Sequence, residues 1–231
     1  MQNNFYNTGV GYRSMASATG NNNSGGRNST AFGAESLENN NGSDNVAVGF
    51  RALRNNTTGI NNTAVGAYTM QLNTTGYRNT AIGRSALTQN TVGFENTALG
   101  YNALNGNTGN FNTSIGSFAL SLNTTGHSNT SIGQSVSQLN TTGYENTAVG
   151  RFAGYSNSSG FRNTAIGRVA LYLNSTGEDN VAIGEGAGYA ETGSRNTYIG
   201  RGAGGGYPST DPAPSGPRNA TGNVMIGNEA G

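Results

Sequence analysis

"NTAIGRSALTQNTVGFENTALG", residues 79–100, contains the pattern Asn-Thr-Ala-aliphatic-Gly twice, with the two copies seventeen residues apart. The glycine that closes the pattern recurs along the chain in steps of sixteen or seventeen residues. Looser copies occur near both ends, as NTGVG at 7–11 and NVMIG at 223–227, so that about thirteen units account for nearly all 231 residues. The recurring glycines are Gly33, Gly49, Gly66, Gly83, Gly100, Gly116, Gly133, Gly150, Gly167, Gly184 and Gly200.

The repeat decides how the composition is interpreted. A chain with 38 Gly, many Asn and Thr and few large aliphatic residues would ordinarily be assigned to disorder. A fixed residue type at a fixed phase argues instead for stacked structural units. We therefore expect one elongated repetitive domain over 1–231, with loop insertions near 18–26 and 204–218.

One unit reads N-T-A-(V/I/L)-G-x-x-A-L-x-x-N-T-T-G-x-x, and its apolar residues form two strand-sized patches. Helices of useful length do not fit, because Gly occurs twice per unit and Asn and Thr dominate the rest. The NTTG segment is typical of a turn. The pattern predicts an all-β fold, a parallel β-solenoid of about thirteen 16–17-residue coils with two short strands and two turns per coil.

Stacked coils would place the same residue of successive units one strand spacing apart, about 4.8 Å. Identical buried amides would then bond to their copies above and below. The turn asparagines, such as Asn73 and Asn90, predict a second ladder. The first ladder is predicted from Asn45, Asn62, Asn79, Asn96, Asn112, Asn129, Asn146, Asn163, Asn180 and Asn196.

The variable positions support stacking independently. Arg78 stands one unit before Glu95 at the same phase, and opposite charges at that spacing attract. The residues after the turn glycine are often aromatic in neighbouring units, as Tyr77 and Phe94 are, which favours ring stacking.

Alternation along an extended strand predicts two apolar faces. Thr80 and Ile82 would point to one side and Ala81 to the other, and Ala86 and Leu87 would likewise point apart. Either the small residues fill a thin interior and the aliphatic ones face outward, or the reverse holds. In both arrangements one apolar face needs a partner, so we expect several copies to pack side by side.

Charge and composition exclude several classes of partner. The net charge of +1, from twelve Arg and eleven acidic residues, gives no basic field for nucleic acid. No Cys is present, so disulfides and thiolate metal sites are excluded. No stretch is apolar enough for a signal peptide, an anchor or membrane insertion.

The motifs NTAIG (79–83 and 163–167), NVAVG (45–49) and NVAIG (180–184) resemble the SVAIG-type repeat of YadA-like heads, the left-handed β-rolls of trimeric autotransporter adhesins. Related repeats occur in phage and injection-machine tail fibres. The resemblance implies a homotrimer whose larger aliphatic residues meet around the three-fold axis, and adhesion through a repetitive surface. The unit here is longer, with its extra residues in the LNTTG turn, and no neck or stalk is visible.

Enzyme chemistry has little support, and no cofactor or metal is expected. The only His, His127, stands at a turn position that is aromatic in neighbouring units. The segments at 184–189 and 200–207 look like phosphate-binding loops but are repeat units with Gly in place of Leu. As ligand contacts we expect Tyr207 and Asp211 in the second insertion, or a row of Arg84, Arg151, Arg168 and Arg201 for acidic glycans.

These observations together predict a non-enzymatic adhesin head or tail-fibre segment that is extracellular, on a cell surface or in a virion fibre. Its partners would be its own copies and a surface glycan or protein. The alternative is a self-assembling filament subunit, suggested by the absence of capping elements. A lesser alternative is ice binding, because Thr recurs at one phase in most units.

Overall fold

The computed structural model describes residues 6–16, 26–205 and 219–231, and these residues form β-strands and turns without any helix. The chain divides into two compact units, Met1–Asn112 and Thr113–Gly231. Each unit is a stack of parallel three-residue strands joined by turns, which is a parallel β-solenoid. The prediction of an all-β solenoid fold is therefore confirmed. Most of the first predicted insertion, and 206–218 of the second, lie outside the described residues.

In the first unit, each strand pairs in parallel with the next strand along the chain. The pairing is in phase with the repeat, because Thr80, Ala81 and Ile82 lie opposite Thr97, Ala98 and Leu99. The strands are β1 (Thr8–Val10), β2 (Thr30–Phe32), β3 (Val46–Val48), β4 (Thr63–Val65), β5 (Thr80–Ile82) and β6 (Thr97–Leu99).

The second unit repeats this arrangement. Ile132 lies opposite Val149, and Ile166 lies opposite Ile183, so aliphatic residues of the motif again pair with one another. The strands are β7 (Thr113–Ile115), β8 (Thr130–Ile132), β9 (Thr147–Val149), β10 (Thr164–Ile166), β11 (Val181–Ile183), β12 (Thr197–Ile199) and β13 (Val224–Ile226).

The prediction of two strands per coil is wrong, because the Ala-Leu segment forms turns. Ser85 and Leu87 have positive φ angles of 59° and 52°. A residue in this left-handed conformation reverses the strand-like alternation of its neighbours, so Ala86 and Leu87 are both fully buried rather than pointing apart. Left-handed Leu costs about 1–2 kcal/mol. Burial of the side chain offsets this cost, as does the bond from the Leu87 N–H to the Ala103 carbonyl at 3.0 Å.

The interior of each coil is small and mixed in polarity. The central Ala of the strand, the Ala-Leu pair and the two asparagines of the unit are all buried, as Ala81, Leu87 and Asn79 show. Within the strand the small central residue therefore faces the interior, which the turn Leu also fills, and the larger aliphatic residue of the strand faces outward. This settles the choice between the two predicted arrangements.

The motif glycine is required for space as well as for conformation. Gly83 has a φ of +130°, and a Cβ there would lie 2.5 Å from the carbonyl oxygen of Gly100 in the next coil. Only a residue without a side chain allows the backbones to approach so closely at this corner.

Both asparagine rows form hydrogen-bonded ladders inside the units. The Asn79 side-chain amide donates to Asn62 Oδ1 at 3.2 Å and to the Gly93 carbonyl at 2.8 Å. The Asn90 amide donates to Asn73 Oδ1 at 2.9 Å and to the same Gly93 carbonyl at 3.0 Å. The two ladders thus meet at the turn glycine and satisfy buried polar groups within the coil.

Candidate functional surface

The outward face of the strands presents two parallel rows of side chains. In most strands the first and third residues point outward on either side of a buried Ala, so Thr80 and Ile82 share one face and Ala81 lies within. Because the strands pair in phase, Thr lies beside Thr and aliphatic beside aliphatic from strand to strand. We call the third residues of the strands, which are aliphatic in every strand except β2, where Phe32 takes the place, the outward aliphatic row.

The outward aliphatic row is substantially exposed in both units. Ile82 and Leu99 are 40% and 42% exposed in the first unit, and Ile166 and Ile183 are 38% and 39% exposed in the second. In the first unit the row is Val10, Phe32, Val48, Val65, Ile82 and Leu99. In the second it is Ile115, Ile132, Val149, Ile166, Ile183, Ile199 and Ile226.

Most side chains of this row are exposed, while Val48, Val65, Ile115 and Val149 are half-buried, and a row of this kind is unusual on a protein surface. Scattered exposed apolar residues are ordinary, but contiguous apolar patches mark sites of interaction. The neighbouring Thr row adds methyl and hydroxyl groups to the same face. The strand face is thus a repeated, mainly apolar surface in each unit.

Aromatic side chains form short stacks at the turn that precedes the strand. In the first unit Tyr77 stacks on Phe94 with ring centroids 4.8 Å apart and an angle of 3° between the planes. In the second unit His127 stacks on Tyr144 at 5.0 Å, and Tyr144 stacks on Phe161 at 4.8 Å and 2°. His127 thus occupies an exposed stacking position.

A second aromatic ladder was not foreseen from the sequence. Tyr155, Tyr172 and Tyr189 stack in parallel with successive centroid separations of 5.1 Å. Burial raises the pKa of the Tyr172 phenol, and the neighbouring phenols of Tyr189 and Tyr155 act in the same direction. The signal was available, because these three tyrosines occupy one phase of three consecutive units.

Ion pairs connect neighbouring coils on the outside. Arg78 Nη1 donates to Glu95 Oε1 at 3.0 Å. Arg162 binds Asp179 with two hydrogen bonds, at 2.6 and 2.9 Å. The hydrogen bond from Arg162 lowers the pKa of the Asp179 carboxyl below its ordinary value, and burial opposes this only in part.

The first unit also contains an ionic cluster that the sequence analysis missed. Glu38 is only 2% exposed and lies 2.6 Å from both Arg13 and Arg54. Glu35 accepts a hydrogen bond from Arg51 at 2.8 Å and lies 3.1 Å from Arg54. The spacing of sixteen residues between Glu35 and Arg51, and between Glu38 and Arg54, was the signal available in the sequence.

The predicted ligand contacts fall into two groups. Tyr207 and Asp211 lie outside the described residues. All four arginines after the motif glycine are exposed, Arg84 in the first unit and the others in the second. Arg168 donates to Glu185 at 2.7 Å, Arg201 donates to Glu229 at 3.1 Å, and the Arg151 guanidinium lies 4.6 Å from the Phe152 ring centroid.

Three of the four arginines therefore already contact groups of the chain itself. Among the described residues, no three His, Cys, Asp or Glu side chains come close enough to hold a metal ion. None of the described segments is a helix with the length and apolar character needed to cross a membrane. Comparison of the chain with protein-family models, curated proteins and solved structures gives no match.

Proposed function

We propose that the protein is a segment of a homotrimeric, non-enzymatic fibre that binds a surface glycan or protein outside the cell or on a virion. The observation that carries this proposal is the outward aliphatic row. Large apolar side chains recur there in strand after strand, while the inward position between them is small in most strands, as Ile166 and Ala165 show in β10.

A second copy of the chain is the occupant that fits this row best. The row repeats with the strand spacing of about 4.8 Å, and an identical chain carries the same row with the same spacing. Branched aliphatic side chains from facing rows would interdigitate, each burial contributing about 25 cal/mol per Å² of apolar area removed from water. The likeness of NTAIG to the YadA-like head repeat supports three copies around one axis.

A trimer of repeated coils suits adhesion. Each weak contact on the outer surface is present in three copies, and repeated coils multiply similar contacts along each chain. Linked contacts of this kind raise the overall affinity far above that of a single contact. The coils in this view form the scaffold, and their variable outer positions bind the partner.

Light scattering across a concentration series tests the proposal. We expect a constant mass of three times the 23.6 kDa monomer. A mass that grows with concentration would favour a filament subunit instead. A stable monomer at all concentrations would contradict both assemblies.

Ice binding is a second candidate, favoured by the exposed threonines beside the aliphatic row. Thr80 and Thr97 are both exposed and lie opposite each other in neighbouring strands. A regular face of hydroxyl and methyl groups is compatible with an ordered water lattice. Thermal hysteresis of the monomeric protein would support this candidate, and its absence would eliminate it.

A further inference from the structure

The first unit has a surface cavity beside its aromatic stack. The cavity has a volume of about 390 Å³ and is lined by Thr58, Ile60, Thr75, Tyr77 and Arg78. Ligand pockets commonly lie between about 300 and 1,000 Å³. The cavity therefore has room for a single sugar ring or a slightly larger group.

Two threonine hydroxyls at the cavity differ from their neighbours in the chain. Thr57 and Thr74 donate their hydroxyls to the carbonyls of Thr74 and Thr91, at 2.9 and 2.8 Å, and so belong to the scaffold. The exposed hydroxyls of Thr58 and Thr75 bond to no other group in the part of the chain that the structure describes. They are available to donate to, or accept from, a ligand.

The cavity also offers an apolar surface and fixed donors. The Tyr77 ring is held in place by its stack on Phe94, and Ile60 adds an aliphatic wall that is 41% exposed. Phe94 covers one face of the Tyr77 ring, and the Arg78 guanidinium carbon lies 5.8 Å from the ring centroid, so the remaining surface of the ring and the Ile60 side chain are what the C–H groups of a pyranose can contact. The remaining N–H groups of Arg78 can donate to sugar oxygens.

The charge at the cavity is balanced. Arg78 lies 3.0 Å from Glu95 and is the only charged residue in the lining. Because the guanidinium already has a carboxylate partner, the site gains little by taking an anion. A neutral ligand needs no rearrangement of this pair.

We propose that the cavity lined by Thr58, Ile60, Thr75, Tyr77 and Arg78 binds a neutral pyranose. One C–H face of the sugar packs against Tyr77 and Ile60, and its hydroxyls bond to Thr58, Thr75 and the Arg78 guanidinium. This inference rests on the proposed adhesive function and names the class of its ligand.

Saturation-transfer NMR on the full chain tests the inference. The probes are the methyl glycosides of glucose, galactose, mannose and N-acetylglucosamine. Irradiation of aromatic protons is expected to saturate the ring C–H protons of at least one glycoside. Tyr77→Ala should weaken its binding about tenfold or more, Thr75→Val about threefold to tenfold, and Tyr77→Phe by no more than about twofold.

Phe161→Ala is the matched control. Phe161 ends a ring stack in the second unit, as Tyr77 does in the first, with the same 4.8 Å separation from its neighbour. It does not line the cavity, so binding should be unchanged. Absence of transfer to all four glycosides, an equal loss in Phe161→Ala, or binding of methyl glucuronide alone would overturn the inference.

The mass of the same samples separates this inference from the proposed assembly. A trimer that binds none of the glycosides overturns the sugar site and leaves the trimer standing. A monomer that binds a glycoside through Tyr77 overturns the trimer and supports the site.

Discussion

At the scale of single residues, the first Asn of the unit links three coils. Asn79 donates its amide to Asn62 in the preceding coil, and its Oδ1 accepts the backbone N–H of Asn96 in the next coil at 2.9 Å. The same Oδ1 accepts the Asn96 side-chain amide at 3.1 Å. A buried ladder of this kind requires an acceptor and a donor on one short side chain, which limits the choice of residue.

Asn79→Ala should therefore destabilise the first unit by about 1–3 kcal/mol, because it leaves the buried Asn96 N–H without its acceptor. Asn79→Ser should cost less. The precedent is Ser29, which occupies this phase in its own coil and whose Oγ accepts the Asn45 N–H at 3.2 Å. Urea unfolding of both variants measures the difference, and equal losses would show that the accepted N–H bond contributes nothing.

The structural role of a residue can be predicted from the sequence where its side chain suits only one role. Asn at a fixed phase and Gly83 at the corner follow from the periodicity alone. Leu87 does not, because its positive φ is disfavoured for a bulky side chain and is imposed by bonds between coils. Local conformational preference therefore predicts that the Ala86 and Leu87 side chains point to opposite sides, whereas both are buried in the interior.

At the scale of the coil, one large residue explains several departures from the repeat. Tyr198 occupies the place of the central Ala in β12 and is fully buried. A Cβ on Gly188 or Gly204 would lie 2.8 or 2.7 Å from the Tyr198 ring. The glycines that look like a phosphate-binding loop thus make room for this ring.

Tyr198→Ala should destabilise the second unit by about 3–5 kcal/mol through the cavity it leaves. Gly188→Leu should also destabilise it, by overlap with the ring. The double variant should lose less than the sum of the two, with a coupling of about 0.5–3 kcal/mol. Leu is compatible with the backbone there, since Gly188 has a φ of +59° and Leu171, at the same phase, has one of +48°.

Denaturant unfolding of the single and double variants measures this coupling. Thr130→Ala, in β8 and four strands away from β12, combined with Tyr198→Ala is the control, because losses at distant sites should add. If the double variant loses the sum of the two single losses in unfolding free energy, the Tyr198 ring and a side chain at position 188 do not compete for the same space.

The ionic cluster of the first unit predicts a dependence of stability on pH. The Arg51 hydrogen bond lowers the pKa of the Glu35 carboxyl below its ordinary value of 4.5, against the opposing effect of burial. The unfolded chain therefore binds this proton more readily, and the stabilisation is present above pH 4.5 and lost as pH falls through the lower folded value.

Glu35→Gln should thus be less stable than the natural chain at neutral pH, with the difference shrinking in acid. Glu145→Gln is the control, because Glu145 makes no ion pair among the described residues. Free energies of unfolding of the natural chain and of both variants, at neutral and at acid pH, measure the effect. A difference for Glu35→Gln that is the same at neutral and acid pH would contradict the assignment.

Some features of the coil could be predicted from the sequence and others could not. Period, turn and parallel stacking were predicted because they depend on residues at constant phase. The number of strands per coil was not, since the short Ala-Leu patch fits a strand and a pair of tight turns equally well. The Tyr77 cavity was missed because its lining combines variable positions of two neighbouring coils, with Thr58 and Ile60 from one and Thr75, Tyr77 and Arg78 from the next.

At the scale of the whole molecule, charged substitutions in the outward aliphatic row distinguish an oligomer from a monomer. Ile132, Ile166 and Ile183 are between 37% and 39% exposed in the second unit, although each could have been polar without disturbing the interior. If facing copies cover them, a charge on the row must be desolvated without a partner, at a cost of several kcal/mol. If nothing covers them, the same charge is solvated and nearly harmless.

The triple variant Ile132→Asp, Ile166→Asp, Ile183→Asp is therefore expected to be a folded monomer, whereas we expect the natural chain to be a trimer whose melting temperature rises with concentration. Thr130→Ser, Thr147→Ser, Thr164→Ser is the matched control on the same face and should remain trimeric. Light scattering gives the mass, and circular dichroism checks that the monomer keeps its strands. A triple Asp variant that still forms trimers would place the interface elsewhere. A natural chain that has the monomer mass at every concentration, with a melting temperature that does not change, would leave the row free for ice or another ligand.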